Sequence, residues 1–560
     1  MARKNFYKND PVIQRLMKQY LSDDFYQYAD DELDDFGERV ANEIDERAVH
    51  TDREGQPRLI KYNKMGEEIN HIWVNEGYLK TVEETYNTGI VGYVHKDIPE
   101  LGHKGNYMYS YAQGYLLSKS EPGFYCPVTL TMATAYLIDH YADEELKRRF
   151  LPHVLSTGDV ELYEGATFLT ERQGGSDVGA NVVEAVEDGG CFRLYGEKYF
   201  ASNSGMCGVT MVLSRMEGAP AGTKGLSLFL VPWEENRKAN QIKVRRLKDK
   251  LGVRAVPSAE IEFEGAKAYL VGDAKKGFKY MMEALNLSRV CNSVASLGIM
   301  RRAYDEARDY AINRDAFGHK LTNYPMIQDT LVQLATKLEV ETYATFDVVH
   351  LFDHVMAKGS DASEQERALL RLYIAIMKKE TAEQAIEFSH ESIEMHGGNG
   401  YIEDFVTSRL LRDAQVLTVW EGTANILGLE VLRLIHNFNV HELFVRDMHE
   451  RLEELSPQLS ELKQPVVNAL GQIKQSLEEL AQMDQEAQLM YPKHLAKDMS
   501  DIFEAVVALQ QVQEGEIYER DVAVAEVFIE QTFNSRKYQL NPLSLKHFDL
   551  IVNAKNPVST

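Results

Sequence analysis

The chain is poor in cysteine, in positive charge and in long apolar runs, and each shortage excludes something. Its four cysteines, Cys126, Cys191, Cys207 and Cys291, are scattered and form no Cys-x-x-Cys pair. That excludes a disulfide framework and fits a reducing cytoplasm. Lys and Arg number 61 against 86 Asp and Glu, a formal net charge of −25. Such a surface repels nucleic acid and anionic membranes on average. No apolar run approaches the roughly 18 residues of a membrane span, and "MARKNFYKND" has no apolar core behind its basic residues, so no secretory signal is expected. No Gly-x-Gly-x-x-Gly follows a strand, which removes the indication of a Rossmann site. His350 and His354 have metal-like spacing on an expected helix. No His-Glu-x-x-His and no matching Cys or carboxylate cluster accompanies them, so no metal is expected.

What is present is an ordinary globular composition, 44 % hydrophobic and 26 % charged, over 560 residues. That length suggests about three or four domains. Residues 1–160 read mostly as helices. "DDELDDFGERVANEIDERA" carries a helical apolar stripe at Leu33, Phe36, Val40 and Ile44, and Asp143 is placed to start a short helix. From 161 to 273 the texture is β, with turns expected at Asp188-Gly189-Gly190 and at Gly196. Strands at this spacing without intervening helices suggest a small barrel or sandwich. Residues 274–440 are helical again, and 441–560 form a further helical block with 20 acidic and 11 basic residues. The expected class is α+β with segregated elements.

Several short stretches could carry chemistry, and each has a plainer reading. "TFLTERQGGSDVGAN" (167–181) pairs Gly174-Gly175 with the hydroxyls of Thr170 and Ser176. Consecutive amides there could cradle a phosphate, or form only a turn. "YGEKYFASNSG" (195–205) reads as a strand running into a turn. "RDAFGHKL" (314–321) offers an Arg for a phosphate or a solvated helix end. "MHGGNGY" (395–401) serves as a helix C-cap without any ligand. In "VLTVWEGTANILGLEVL" (416–432), Glu421 stands among apolar residues just before Thr423, which can cap a helix bearing Ile426, Leu427, Leu429, Val431 and Leu432. A carboxylate there is either a partner of the helix dipole or a reacting group.

In order and mutual spacing these pieces resemble the FAD-dependent acyl-CoA dehydrogenase family. The matching residues are Thr170-Glu171 with Gly175-Ser176-Asp177, Gly196-Glu197-Lys198 leading to Ser202-Asn203, Arg314 with Phe317-Gly318, Gly397-Gly398-Asn399-Gly400, Arg412-Asp413-Ala414 and Glu421-Gly422-Thr423. "CPVTLTMA", "LTERQGGSDV", "RRLKDKLGVRA" and "VWEGTANI" are similar to the AidB-like branch.

The resemblance implies an N-terminal helical domain (1–160), a middle β-barrel domain (161–273), a C-terminal four-helix domain (274–440) and an extra helical extension (441–560). FAD lies between the middle and four-helix domains in this family. By similarity, Leu169 and Thr170 contact the flavin ring, and Ser202 replaces a Thr whose hydroxyl bonds flavin N5. Phe200 stands where a Trp often covers the ring. Ser176 lies beside the pyrophosphate, and Gly175 and Thr423 are further cofactor contacts. Arg314, Phe317, Gly397 and Gly398 reach the FAD of a neighbouring subunit, which implies a homo-oligomer, a tetramer by family habit. Arg289 matches a residue near the CoA moiety, with Ser176 and Trp420 as further substrate contacts. Glu394 departs from the Gln usual near the pyrophosphate, where a carboxylate is repelled.

The implied reaction is α,β-dehydrogenation of a fatty acyl-CoA to the trans-2-enoyl-CoA. Glu421 removes the α-proton, the β-hydrogen leaves as hydride to flavin N5, and electron-transferring flavoprotein is the acceptor. Apolar Val419 and Trp420 are expected to make the carboxylate a stronger base. Two other readings compete. An AidB-like DNA-associated alkylation-response flavoprotein should show clustered Lys and Arg. The basic stretch "KVRRLKDKLGVR" (243–254) lies in the β domain and the terminal block is acidic, so nucleic acid is not expected. A non-catalytic acyl-CoA-binding protein would not need Glu421.

Overall fold

The computed structural model describes residues 4–513, 519–534 and 541–553. The outer limits of the first and last expected domains, residues 1 and 560, lie outside the described residues. Two compact units emerge, 1–8 with 21–291, and 9–20 with 292–560.

In the first unit the N-terminal helices are α2 (Asp23–Arg39), α3 (Asp45–Arg53), α4 (Glu76–Tyr86), α5 (Tyr107–Ser118), α6 (Pro122–Tyr141) and α7 (Glu144–Val154); α1 (Pro11–Tyr20) belongs to the second unit. The stripe residues Leu33, Phe36, Val40 and Ile44 are all fully buried, the last two in a π-helical turn joining α2 to α3. Asp143 caps α7, its Oδ1 accepting the amides of Glu145 and Leu146 at 3.0 and 2.9 Å. The region is not purely helical. β1 (Arg58–Tyr62) pairs with β2 (Glu68–Trp73), and the two-residue strands β3 (Asp97–Ile98) and β4 (His103–Lys104) pair further on. The first hairpin turns on Asn63, whose Oδ1 accepts the amides of Met65 and Glu67.

The β region has seven strands: β5 (Glu164–Phe168), β6 (Glu184–Asp188), β7 (Cys191–Ser202), β8 (Cys207–Met216), β9 (Leu226–Pro232), β10 (Ile242–Leu247) and β11 (Ser258–Leu270), with the short α8 (Trp233–Lys238) after β9. Five of them close into a ring in the order β11, β7, β6, β8, β9 and back to β11. Closure depends on β11, which pairs with β7 up to Ala268 and with β9 at Tyr269 and Leu270. Register shifts after Ala259 and after Glu264 bend it enough to serve both neighbours. Phe168, Ala201, Phe229, Trp233 and Ile261 fill the interior. Asp188 pairs directly with Cys191, so Gly189 and Gly190, both at positive φ, form the expected two-residue turn. Gly196 does not turn the chain. It lies inside β7 opposite Phe263 at φ 123°, and a Cβ there would stand 3.1 Å from Val183.

The second unit is helical. α9 (Gly277–Asn313) runs into it and is followed by a small hairpin of β12 (Asp315–Ala316) and β13 (His319–Lys320). Then come α10 (Pro325–Met356), α11 (Glu364–His396), α12 (Val406–Leu417) and α13 (Ala424–Phe438). α14 (Val440–Glu453), α15 (Ser460–Ala481), α16 (Gln485–Gln488), α17 (Pro492–Gln513), α18 (Glu519–Phe533) and α19 (Leu543–Val552) complete it. α17 packs on α10, α11 and α13, and α19 packs on α10. α1 joins the same unit through Arg15 to Asp521 at 2.7 Å and Asp10 to Arg301 at 3.1 Å. Among the described residues no helix is long and apolar enough to cross a membrane.

Candidate functional site

In the first unit, residues 165–170 run antiparallel beside 199–203. The carbonyl of Gly165 accepts Asn203 Nδ2 at 3.1 Å, and the carbonyl of Thr170 accepts the Tyr199 amide at 2.9 Å. This strip brings Leu169, Thr170, Phe200 and Ser202 together. A buried pair fixes it from behind. Lys198 Nζ donates to Glu171 Oε1 at 2.8 Å and to the carbonyls of Leu169 (3.2 Å) and Leu213 (2.9 Å). Glu171 in turn accepts the amides of Val182 and Val183. Asn181 adds a bond to the Leu169 carbonyl at 2.8 Å. Burial pulls the Lys198 ammonium down, against the attraction of Glu171.

Leu169 and Thr170 are half-buried, whereas Gly175 and Ser176 are exposed. A Cβ at position 175 would lie 2.6 Å from Thr170 Oγ1, so only glycine lets this turn close over the threonine. Ser202 Oγ lies 3.1 Å from Ser258 Oγ. Phe200 is 52 % exposed, its ring 4.6 Å from Lys248 Nζ. Arg289 is buried on α9 and donates to Asn286 Oδ1 at 3.2 Å.

In the second unit, the stretch containing Arg314 is a hairpin, not a bare helix end. Asp315 pairs with Lys320 and Ala316 with His319, leaving Phe317 (φ 51°) and Gly318 (φ 89°) as the two-residue turn. The left-handed conformation costs a residue with a Cβ roughly 1–2 kcal/mol. Phe317 nevertheless stands there and is 97 % exposed. Close by in the chain's folding, Asn399 Nδ2 donates to the Tyr310 hydroxyl at 3.2 Å, and the Arg314 amide to the Tyr310 carbonyl. Arg314 and the Gly397–Gly400 turn are thereby brought together. Gly397, at φ 59°, ends α11 as expected, and nothing stands within 4 Å of a Cβ at Gly397 or Gly398.

Glu421 lies between α12 and α13 at φ 59°, followed by Gly422 at φ 108°. It is half-buried, Trp420 likewise, and Val419 is 57 % exposed. Thr423 occupies the N-cap position of α13 but makes no capping bond, contrary to its expected role; its side chain is exposed. Of the anticipated stripe, Leu427, Val431 and Leu432 are buried and Leu429 is exposed. Two helices hold this turn from inside. Asn292 Nδ2 donates to the Leu417 carbonyl at 3.2 Å, and Lys378 Nζ donates to the Gly422 carbonyl at 2.7 Å. Sequence reasoning missed both. The Lys378-Lys379 doublet inside the apolar run of "LRLYIAIMKKETA" was the available signal.

His350 and His354 take separate partners. His350 stacks on Tyr20, and His354 Nε2 lies 3.6 Å from Glu366. The basic stretch of β10 is neutralised across the sheet. Lys243 pairs with Glu264, Arg245 with Glu197 and Glu262, and Arg246 and Lys248 with Glu260.

These features fit the dinucleotide cofactor that the resemblance implies. Taken separately, the first unit offers the half-exposed Phe200, the Gly174–Gly175 backbone and the hydroxyls of Thr170 and Ser202, and the second offers the exposed Phe317, the Gly397–Gly398 backbone and Arg314.

Three domain families match along the chain. They are the adaptive response protein AidB N-terminal domain over residues 1–158, the acyl-CoA dehydrogenase middle domain over 166–266 and the acyl-CoA dehydrogenase C-terminal domain over 275–435. The acyl-CoA dehydrogenase family member 11 of Caenorhabditis elegans is 30 % identical over 490 residues, covering 84 % of this chain and 78 % of the relative. The crystal structure of Caenorhabditis elegans ACDH-11 in complex with C11-CoA superposes with a TM-score of 0.87 at 27 % identity, covering 100 % of this chain and 97 % of that one. The putative acyl-CoA dehydrogenase AidB of Escherichia coli K12 is 29 % identical over 391 residues, 68 % of this chain and 69 % of its own.

Proposed function

The chain belongs to the acyl-CoA dehydrogenase family, in its AidB-like branch, and from that premise we propose that it α,β-dehydrogenates a fatty acyl-CoA to the trans-2-enoyl-CoA with Glu421 as the base. The observation that carries this reading is the Glu421-Gly422 turn. A glutamate held in the left-handed conformation at a helix junction, anchored by a buried lysine, is costly to keep for a dipole contact alone.

FAD is the cofactor of this family and supplies the hydride acceptor when bound. Leu169, Thr170, Phe200 and Ser202 would hold and orient its ring, and Gly175 and Ser176 its pyrophosphate. Arg314, Phe317, Gly397, Gly398 and Thr423 would complete the cofactor's hold. Arg314 and Phe317 would serve a neighbouring protomer, so the working form is a homo-oligomer, a tetramer by family habit. Glu421 takes the α-proton on its carboxylate, while Arg289, Ser176 and Trp420 position the thioester and its CoA. Electron-transferring flavoprotein is the proposed acceptor. The four scattered cysteines, none of them in a disulfide, support a cytoplasmic setting. The ion pairs that neutralise β10 speak against a nucleic-acid face.

Anaerobic titration of the FAD-loaded protein with a panel of saturated acyl-CoAs tests the reading. Bleaching of the flavin band by one chain-length class is expected. Glu421→Gln should retain FAD and acyl-CoA but slow reduction by at least the roughly 10²–10⁴-fold of general-base catalysis. Binding without bleaching across the whole panel would leave the non-catalytic acyl-CoA binder as the better account.

A further inference from the structure

We propose that Lys378 is a positioning residue for the reaction, acting through the backbone of the turn that carries Glu421; this rests on the reading of Glu421 as the base. The argument starts from what the turn lacks. A helix N-terminus is ordinarily locked by its N-cap side chain, and Thr423, at that position in α13, makes no such bond. Glu421 and Gly422 both have positive φ, so the segment sits away from the conformations an unrestrained chain prefers. Something other than local chain preference must hold it there.

Two contacts do. At the start of the turn, Asn292 on α9 bonds the Leu417 carbonyl, and at its end Lys378 on α11 bonds the Gly422 carbonyl at 2.7 Å. Lys378 is only 1 % exposed. A lysine is seldom buried unless a specific partner requires it. Its Nζ donor fixes the Gly422–Thr423 peptide plane, one residue beyond Glu421, and so restrains the turn from which the carboxylate projects. The adjacent Lys379 shows that burial on this helix does not by itself produce the contact, because its ammonium turns to Glu383 at 2.9 Å. A base must meet its proton within hydrogen-bond reach, and a displacement of about 1 Å can cost on the order of 10²-fold in rate. In this account Lys378 positions the base and exchanges no proton.

The test is a double-mutant cycle on the FAD-loaded full chain, read by anaerobic stopped-flow reduction with a saturated acyl-CoA that bleaches the wild type. Lys378→Met is expected to lower the limiting reduction rate about 10- to 100-fold, with FAD stoichiometry kept and the half-saturating acyl-CoA concentration changed less than about threefold. In a Glu421→Gln background the same substitution should add less than about a twofold loss, because it acts through the missing base. Lys379→Met, the control, should reduce at the wild-type rate. Should Lys378→Met fail to fold, Lys378→Gln, which keeps a shorter neutral donor, carries the same expectation. A wild-type rate in either Lys378 variant, or an equal loss in both backgrounds, overturns the proposal. A Glu421→Gln protein that reduces at the wild-type rate refutes the base assignment, and the Lys378 proposal with it.

Discussion

Each of the two units buries a lysine among carboxylates, and the two arrangements differ in balance. In the barrel, Lys198 faces one carboxylate, Glu171, and every remaining direction ends on a backbone group. In the helical unit, Lys337 on α10 meets three: Glu341 at 3.0 Å, Glu380 on α11 at 2.9 Å and Glu504 on α17 at 2.7 Å. All three carboxylates are essentially inaccessible, and the second cation, Lys497, lies 3.3 Å from Glu380 and also pairs with Asp501. Burial opposes the charge on Lys337, but the carboxylates outweigh it and hold the ammonium well above its ordinary range. Burial pushes the Glu380 carboxyl up, and Lys337 and Lys497 more than reverse this, to about 2. Negative charge then remains in excess. Burial raises Glu341 to about 7 and Glu504 well above the usual carboxylate range. A balanced pair leaves no surplus charge to neutralise; an overloaded cluster makes the packing of α17 on α10 and α11 depend on protons.

The largest expected effect is at Lys198. Lys198→Met strands Glu171 as a buried charge and releases the carbonyls of Leu169 and Leu213. Loss of one partner from a buried pair typically costs about 3–5 kcal/mol. Denaturant unfolding should show that loss, together with reduced FAD retention, because the strip bearing Leu169 and Thr170 loses its backing. Unchanged FAD retention in a folded variant would separate the barrel pair from the proposed cofactor wall.

Lys337→Met should be damaging but more forgiving, because protons can take the place of the missing cation at Glu341 and Glu504. The loss should be greatest near pH 8 and shrink toward pH 5. Melting curves across that range check it, and a pH-independent loss would break the contrast between the two lysines.

Glu504→Gln should have the opposite sign. A carboxyl whose folded pKa is raised binds more protons folded than unfolded. Stability is therefore lost as pH climbs from the unfolded value of about 4.5 through the folded one, about 7 for Glu341. The substitution removes one surplus charge while the amide oxygen can still accept from Lys337. A gain on the order of 1–2 kcal/mol is expected at pH 8 and little at pH 5, read from the same curves. Destabilisation at pH 8 would show that Glu504 is charged and needed as such.

Much of this layout was legible before folding. The stripe at Leu33, Phe36, Val40 and Ile44 and the cap at Asp143 follow from periodicity and local hydrogen bonding. So does the Asp188–Cys191 turn, since its two glycines answer a local demand for positive φ. Gly196 was misread because the same residue type also serves inside a strand, and only the proximity of Val183 tells the two apart. The β1–β2 hairpin escaped because no residue of β1 is fully buried and the buried face of β2 puts the polar Asn70 beside Ile72, so neither strand shows an apolar alternation. Of the candidate site, the order of its residues in the chain was readable, but the groups that hold them were not. Lys198, Asn292 and Lys378 reach backbone carbonyls distant in sequence; a lysine doublet in an apolar run can mark a buried cation such as Lys378, but no pattern in the chain names the main-chain oxygen it meets.

Thr423 gives the smallest predicted effect and sharpens the contrast between a position and a bond. From sequence it is a helix cap, and removal of a working cap costs typically about 1 kcal/mol. In the structure its backbone has the extended cap conformation, φ −69° and ψ 167°, but its side chain makes no cap bond. The turn before it is instead held at the Gly422 carbonyl by Lys378. Thr423→Ala should therefore change stability by less than about 0.5 kcal/mol, the usual range for surface substitutions. FAD retention is the second readout, because Thr423 is also a proposed cofactor contact. If stability is unchanged and FAD is held more weakly, the exposed hydroxyl serves the cofactor. A loss of a full kcal/mol without FAD would mean that the hydroxyl caps α13 in solution, and the turn would then owe less to the lysine beneath it.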